Sequence, residues 1–546
     1  MSNERANATD RQGRPSSAKT TTGRARGSLL LLALCLLTPS FWLLATVPPL
    51  WRDADAYNQL LHTPAQSTSS GHGLLYGLSV RVPLYVGYTI ERKRGAEIAA
   101  TTNFFDVPVL TDTGIGLLIV AQHVALAGAG LALILLATSG IWMRFALAFF
   151  FASNHLFYTF AHCVGSESLS MICLLLLAAL GLRLVRHPEA RTWKIWSLFA
   201  VVLFACLTTR YVNMLLAFLL PLTFLVLAMM QRDKGQVRHA AISILIGAAC
   251  LVLARSSAEA VSRAGKFGYY SRIGFTFMWR VGFVQTVPEQ QRAALLDRVA
   301  ARTKAPDAQQ VFAILREIIA EGKPLGSGTI FERVRAALPR AEKRSGPRRV
   351  HTALNTVAWA FLLPPTAEHW QTAQEDFSEN RRLLLPEVSR FLFATTVYLW
   401  EYADKLPGVG HLSTFRENTP AGLMEKAQAN PYLGLWSGLT LNGALLGSAT
   451  SLGALVMVSV WHRRAGTAAT AEGENRARDN ILPIAVFAGL LVLMAMAMVE
   501  ATALVGDLIP RYTLPLWEMA WVTGIIAVGG VGDALRSVRW AAGKAG

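Results

Sequence analysis

Apolar residues in this chain are gathered into long runs separated by short polar turns. The runs fall at about 28–49, 114–138, 141–159, 168–185, 193–209, 212–230, 239–254, 434–461, 481–503 and 510–533. Most approach the roughly 20 residues that an α-helix needs to cross a hydrocarbon core, so the pattern predicts about ten membrane spans. The runs 141–159 and 193–209 are the least continuous. Two long segments break the rhythm. Residues 50–113 carry scattered apolar positions (Leu60, Leu61, Leu74, Leu75, Tyr76, Val82, Leu84, Tyr85) that predict short helices lying in an interface. Residues 255–433 show apolar positions at helical spacing in 290–299, 308–319, 330–338 and 350–362. Pro288-Glu289, Pro306-Asp307 and Thr419-Pro420 place a proline and acidic or capping residues where helices start. The predicted fold class is therefore all-α, a polytopic transmembrane bundle with a mostly helical insertion.

The expected organisation is a polar tail over 1–27, a transmembrane core over 28–254 containing the loop 50–113, a helical domain over 255–433, C-terminal spans over 434–535 and a short tail over 536–546. The tail 1–27 is rich in Ser, Thr and Arg and has no periodicity, which fits a disordered segment. The first apolar run is too long for the core of a cleavable signal peptide and ends in Pro48-Pro49, so it is expected to remain as an uncleaved span.

Composition agrees with a membrane core: 53% of the 546 residues are hydrophobic and 16% charged, and the mean hydropathy is +0.36. The net charge of +17 adds orientation. Basic residues near span ends are retained in the cytoplasm, and those at 11–26, 183–194, 232–238, 462–478 and 536–544 all share one side if the spans alternate. Both termini are then cytoplasmic, in a multi-pass protein of the cell membrane, and residues 50–113, 160–167, 210–211, 255–433 and 504–509 lie outside. The remaining basic residues are spread over both faces with no nucleic-acid-binding motif, so the charge is assigned to topology and to membrane lipid headgroups rather than to nucleic acid. The five cysteines sit in or beside apolar runs without metal-ligand spacing.

The candidate chemistry gathers on the external face. Asp53 and Asp55 follow the first span, where a carboxylate is solvated and free to accept a proton or bind a metal. Glu167 opens a later span, with Ser166 beside it as a cap and the helix dipole favouring its charge. Arg210 and the pair Arg511-Tyr512 emerge between later spans, and an arginine fork matches phosphate oxygens two at a time. His72 and His162 are further candidates by their proximity to these groups. Asp53, Asp55 and Glu167 form a hard oxygen set that would suit Mg or Mn if a metal is used.

These residues resemble the GT-C superfamily of integral membrane glycosyltransferases, which take sugars from polyprenyl-phosphate carriers. Asp53-Ala54-Asp55-Ala56-Tyr57 looks like the acidic motif that opens the family's first external loop. Asp55, two residues before Tyr57, matches the oligosaccharyltransferase register, and Asp53 matches that of the protein mannosyltransferase and aminoarabinose transferase branch. Gly165-Ser166-Glu167-Ser168-Leu169 is similar to the family's small-acid-Leu opening of an early span, and Arg511-Tyr512 followed by Pro515 to its late Arg-Tyr-x-x-Pro element. The resemblance covers residues 28–230 well and matches no known module in 255–433. It implies transfer of a sugar from a polyprenyl-phosphate donor to a glycan, lipid or protein acceptor, with inversion, Asp55 or Asp53 as general base, and Arg210, Arg511 and Tyr512 on the lipid phosphate.

Two other classes fit a basic polytopic chain. A transporter or flippase of lipid-linked sugars would carry ionisable groups near the bilayer midplane, and Glu518 and Gln122-His123 do lie inside apolar runs. A transferase resembling the O-antigen ligases would share the large external domain but would centre on Arg and His rather than paired acids.

Overall fold

The computed structural model describes residues 17–52, 60, 63–69, 73–105, 107–266, 271–338, 346–403, 412–465 and 481–545. The fold is an all-α polytopic bundle, as the periodicity predicts. Ten apolar helices carry labels here: α1 (Ser17–Thr46), α2 (Asp112–Ala137), α3 (Ile141–Ala152), α4 (Ser166–Arg186), α5 (Trp193–Thr209), α6 (Leu219–Gln231), α7 (Lys234–Ala264), α8 (Leu441–Ala465), α9 (Ile481–Val505) and α10 (Leu514–Ala545). Among the described residues, eight helices are long and apolar enough to cross a membrane, α6 counting together with the 3₁₀ turn before it, while α3 and α5 are shorter.

The expected span 141–159 is in fact two helices. Asn154 ends the run, because its side chain accepts from the Leu156 backbone N–H and so caps a second helix, His155–Ala161. The helix α7 also departs from expectation by continuing through residues 255–264, which were assigned to the external domain. Its 31 residues reach roughly 46 Å, longer than the ~30 Å hydrocarbon layer.

The alternation of faces is written in the tertiary contacts. At one end of the bundle, β1 (Leu50–Trp51) pairs in parallel with β2 (Cys163–Val164), Leu50 opposite Cys163 and Trp51 opposite Val164. At the other end, Asp533 of α10 accepts hydrogen bonds from Thr138 Oγ1 and Ser139 N and pairs with Arg186, joining the α2–α3 turn to the end of α4. Residues 50–52 and 163–167 therefore share one face, and residues 138–139, 186 and 533 the other.

The insertion is helical as expected: Glu289–Ala300, Pro306–Ala320, Ser327–Ala337 and Gly346–Leu362 fall on the periodic segments. With Ile273–Arg280 they enclose a separate core around Phe277, Leu295, Phe312 and Phe361, against which Leu504 and Val505 of α9 also pack. The loop after α1 builds a third core in which Trp51, Tyr76, Leu84 and Tyr88 meet Leu399 and Phe415 from the insertion. Its helix Arg81–Lys93 buries Leu84 and Tyr88 and exposes Val82 and Val86, the two-faced pattern of an interfacial helix. All five cysteines are free thiols.

Candidate functional site

The strand pair sets the site. The Arg52 backbone N–H donates to Val164 O at 3.1 Å, so the first residue beyond β1 is fixed beside the turn that opens α4. That turn is Gly165-Ser166-Glu167. A side chain at 165 would press on the Arg52 Cβ at 2.9 Å and a Glu167 carboxylate oxygen at 3.0 Å, so the close approach of Arg52 to Glu167 requires glycine there. Gly165, not Ser166, occupies the capping position, and α4 has no side-chain cap. Ser166 instead lends its hydroxyl to Arg52 Nη1 at 3.3 Å. This corrects the expected cap: the serine serves the site rather than the helix end.

Glu167 is the hub. Its side chain is 2% exposed, and three guanidinium groups from distant parts of the chain surround it: Arg52 Nη1 at 3.3 Å, Arg210 Nη1 at 3.6 Å and Arg511 Nε at 3.9 Å. Arg210 follows the end of α5, and Arg511 lies in the 3₁₀ turn Pro510–Thr513 just before α10. The guanidiniums of Arg210 and Arg511 both lie over the Tyr512 ring, at 5.5 and 5.1 Å from its centroid. Arg511 Nη1 also reaches the Arg52 carbonyl at 3.4 Å. Among the described residues, three guanidiniums face this one carboxylate, in a place shielded from water. Such a pocket favours an anion, and arginine suits a phosphate because its donors are forked and always charged. Tyr76 is buried near the Arg52–Glu167 pair; burial pushes its phenol up, so it stays neutral and keeps its proton.

A second layer holds the turn in place. Gln122 Nε2 donates to Ala161 O at 2.9 Å and Cys163 O at 3.1 Å, while its Oε1 accepts from Ser168 Oγ at 2.8 Å. His162 Nε2 lies 2.9 Å from Val47 O, an atom that only accepts, so that nitrogen carries the proton. Burial holds His162 at about 4 and leaves the ring neutral, so its Nδ1 accepts from His123 Nε2 at 3.1 Å. His162 thus braces the end of α1 from behind the strands. Gln122 and His123, two of the intramembrane polar groups that suited a transporter, are used in the same way. Glu518 is different: it is fully buried in α10, and neither carboxylate oxygen has a hydrogen-bond partner among the described residues.

Of the residues expected in the site, the fold brings Glu167, Arg210, Arg511 and Tyr512 together. Asp53, Asp55 and His72 lie outside the described residues, as do Ala54 and Tyr57. Arg52, Tyr76 and Gln122 are members of the site or its support that sequence reasoning did not assign to it. Arg52 carried a signal, a cation directly between the span and the acids, but its partner lies 115 residues away and becomes visible only through the strand pairing. Of the three oxygen donors expected for a metal, Asp53 and Asp55 lie outside the described residues, and Glu167 faces three guanidiniums. Among the described residues no group of three His, Cys, Asp or Glu side chains is arranged for a metal.

No family model and no curated protein matches the chain. Among solved structures it is similar to ArnT from Cupriavidus metallidurans in the apo state, with 13% identity, coverage of 95% of this chain and 78% of that chain, and a TM-score of 0.25. A superposition that loose carries neither fold nor function across, so the functional reading rests on the residues themselves.

Proposed function

We propose that this chain is a membrane glycosyltransferase of the GT-C type, which moves a sugar from a polyprenyl-phosphate donor to a glycan, lipid or protein acceptor on the extracytoplasmic face. The observation that carries the reading is the convergence of Arg52, Arg210 and Arg511 on buried Glu167, at the point where the chain leads into Asp53 and Asp55. The three forked, permanently charged guanidiniums are suited to the phosphate of the donor. In the transfer, an acceptor hydroxyl attacks the anomeric carbon while the bond from that carbon to the phosphate oxygen breaks. The bonding pair leaves with the phosphate, whose growing charge the arginines stabilise. The hydroxyl proton passes to Asp55, with Asp53 as its partner or substitute. A single displacement of this kind inverts the anomeric configuration. Glu167 holds the guanidiniums in register. The topology inferred from the basic segments places both termini in the cytoplasm.

The test uses the full chain in lipid nanodiscs with labelled polyprenyl-phosphate sugars. Asp55→Asn is expected to cut transfer at least a hundredfold while leaving the fold and donor binding intact, as removal of a general base does. Unchanged turnover in both Asp53→Asn and Asp55→Asn would overturn the assignment. One observation favours a second reading, a flippase of lipid-linked sugars: the unpartnered carboxyl of Glu518 within the bundle. Movement of the same lipids between leaflets without transfer, abolished in Glu518→Gln, would support it.

A further inference from the structure

We propose that Asn380 and His369 of the helical insertion are positioning residues for Arg511, so that the insertion sets the geometry of the cationic site without touching its ligand. The proposal rests on the phosphate-handling reading above and assigns a part of it to the insertion. Arg511 follows α9 by only a few residues, and the intervening backbone needs partners. The last carbonyls of any helix lack acceptor–donor closure within the helix. At the end of α9 the insertion supplies it: His369 Nε2 lies 2.8 Å from Leu504 O. Four residues on, Asn380 Nδ2 donates to Leu508 O at 2.9 Å.

Both side chains are held rigidly. His369 is fully buried, and its ring stacks on Phe283 with centroids 4.8 Å apart. Burial, with Arg280 nearby, keeps His369 at about 4, so the neutral ring presents an N–H to the carbonyl. Asn380 is buried, and its amide also donates to Asp376 O at 2.9 Å. The helix Ala367–Asn380 thus grips the link at two points. Between them, Gly506 lies so close to the helix Ile273–Arg280 that a side chain there would meet Thr276 Cγ2 at 2.9 Å. Arg280 pairs with Asp376 next to the same link, and Asp507 lies near both. From Leu508 the chain has two residues before Arg511, and Tyr512 N bonds back to Ile509 O at 2.9 Å. The turn that aims Arg511 therefore begins at a clamped atom.

The experiment measures binding of a long-chain isoprenyl monophosphate to the full chain in nanodiscs, together with amide hydrogen exchange over 506–513. Asn380→Leu is expected to speed exchange in that segment and to weaken binding about five- to tenfold, the scale of one lost buried hydrogen bond. In an Arg511→Ala background the same substitution should weaken binding no further, because its effect runs through Arg511. Exchange that does not change in Asn380→Leu, or an equal loss of binding with and without Arg511, would overturn the proposal. Isoprenyl phosphate binding that is indifferent to Arg511→Ala would instead strike the phosphate reading, and the exchange result alone would then decide the positioning role. His369→Gln, which keeps a donor of similar reach, should restore most of the protection that His369→Leu removes.

Discussion

Replacing Glu167 by glutamine removes one charge and almost no volume. In the native protein its carboxylate faces three guanidiniums at 3.3, 3.6 and 3.9 Å, with only 2% of its side chain exposed. Breaking a buried ion pair by removing one partner costs about 3–5 kcal/mol where contact is ideal. The contacts here are long, and the arginine side chains retain 8%, 16% and 11% exposure, so the lower end, about 3 kcal/mol, is expected. The loss should be reversible by an anion. If the site takes phosphate, a ligand at a hundredfold its dissociation constant returns about 2.7 kcal/mol, nearly the whole deficit. The assay is thermal or denaturant unfolding of the parent and Glu167→Gln in nanodiscs, with and without isoprenyl monophosphate, at matched ionic strength. The variant should be less stable without the ligand and should gain more from it than the parent does. A variant as stable as the parent, or one that gains no more from the ligand, would refute the idea that Glu167 balances the arginines.

Two further outcomes are expected. Asp533→Asn should lower stability by about 2–3 kcal/mol, because the carboxylate pairs with Arg186 and accepts from Thr138 and Ser139 at once, yet isoprenyl phosphate binding should stay within twofold, since this cluster lies at the opposite end of the bundle. Burial holds His162 and His369 at about 4, below the 6.5 of an unfolded chain, so the unfolded state takes up more protons and stability should fall as pH drops from 6.5 to about 4. His369→Gln should flatten that slope in melting temperatures measured across the range, and parallel curves for variant and parent would count against it.

The membrane helices are legible because hydrocarbon imposes one rule on them: every backbone group must be satisfied within the segment, so long apolar runs read as spans. The same rule explains where reading along the chain falters. The run 141–159 reads as one span, but Asn154 within it finds a better use capping a new helix. The acid at 167 and the arginines at 210 and 511 could be placed on one face by alternation alone. Their convergence could not, because it depends on two-residue strands that pair across more than a hundred positions and leave no periodic trace. Arg52 stayed hidden for that reason. Gln122 looked like an intramembrane polar group with a transport role, and only its bonds to Ala161, Cys163 and Ser168 identify it as a brace.

The parallel pairing of β1 with β2 has a consequence for how the protein is made. A chain synthesised from its N-terminus delivers α1 and Arg52 to the membrane first, and more than a hundred residues must follow before β2 and Glu167 can meet them. Arg511, 459 positions after Arg52, arrives only with the last helix. Until then the acid has an incomplete set of cations, and an odd number of misplaced spans anywhere between would deliver Arg511 to the wrong side of the bilayer. Completion of this one cluster thus records the parity of the crossings between Arg52 and Arg511, a check on topology made by a single site.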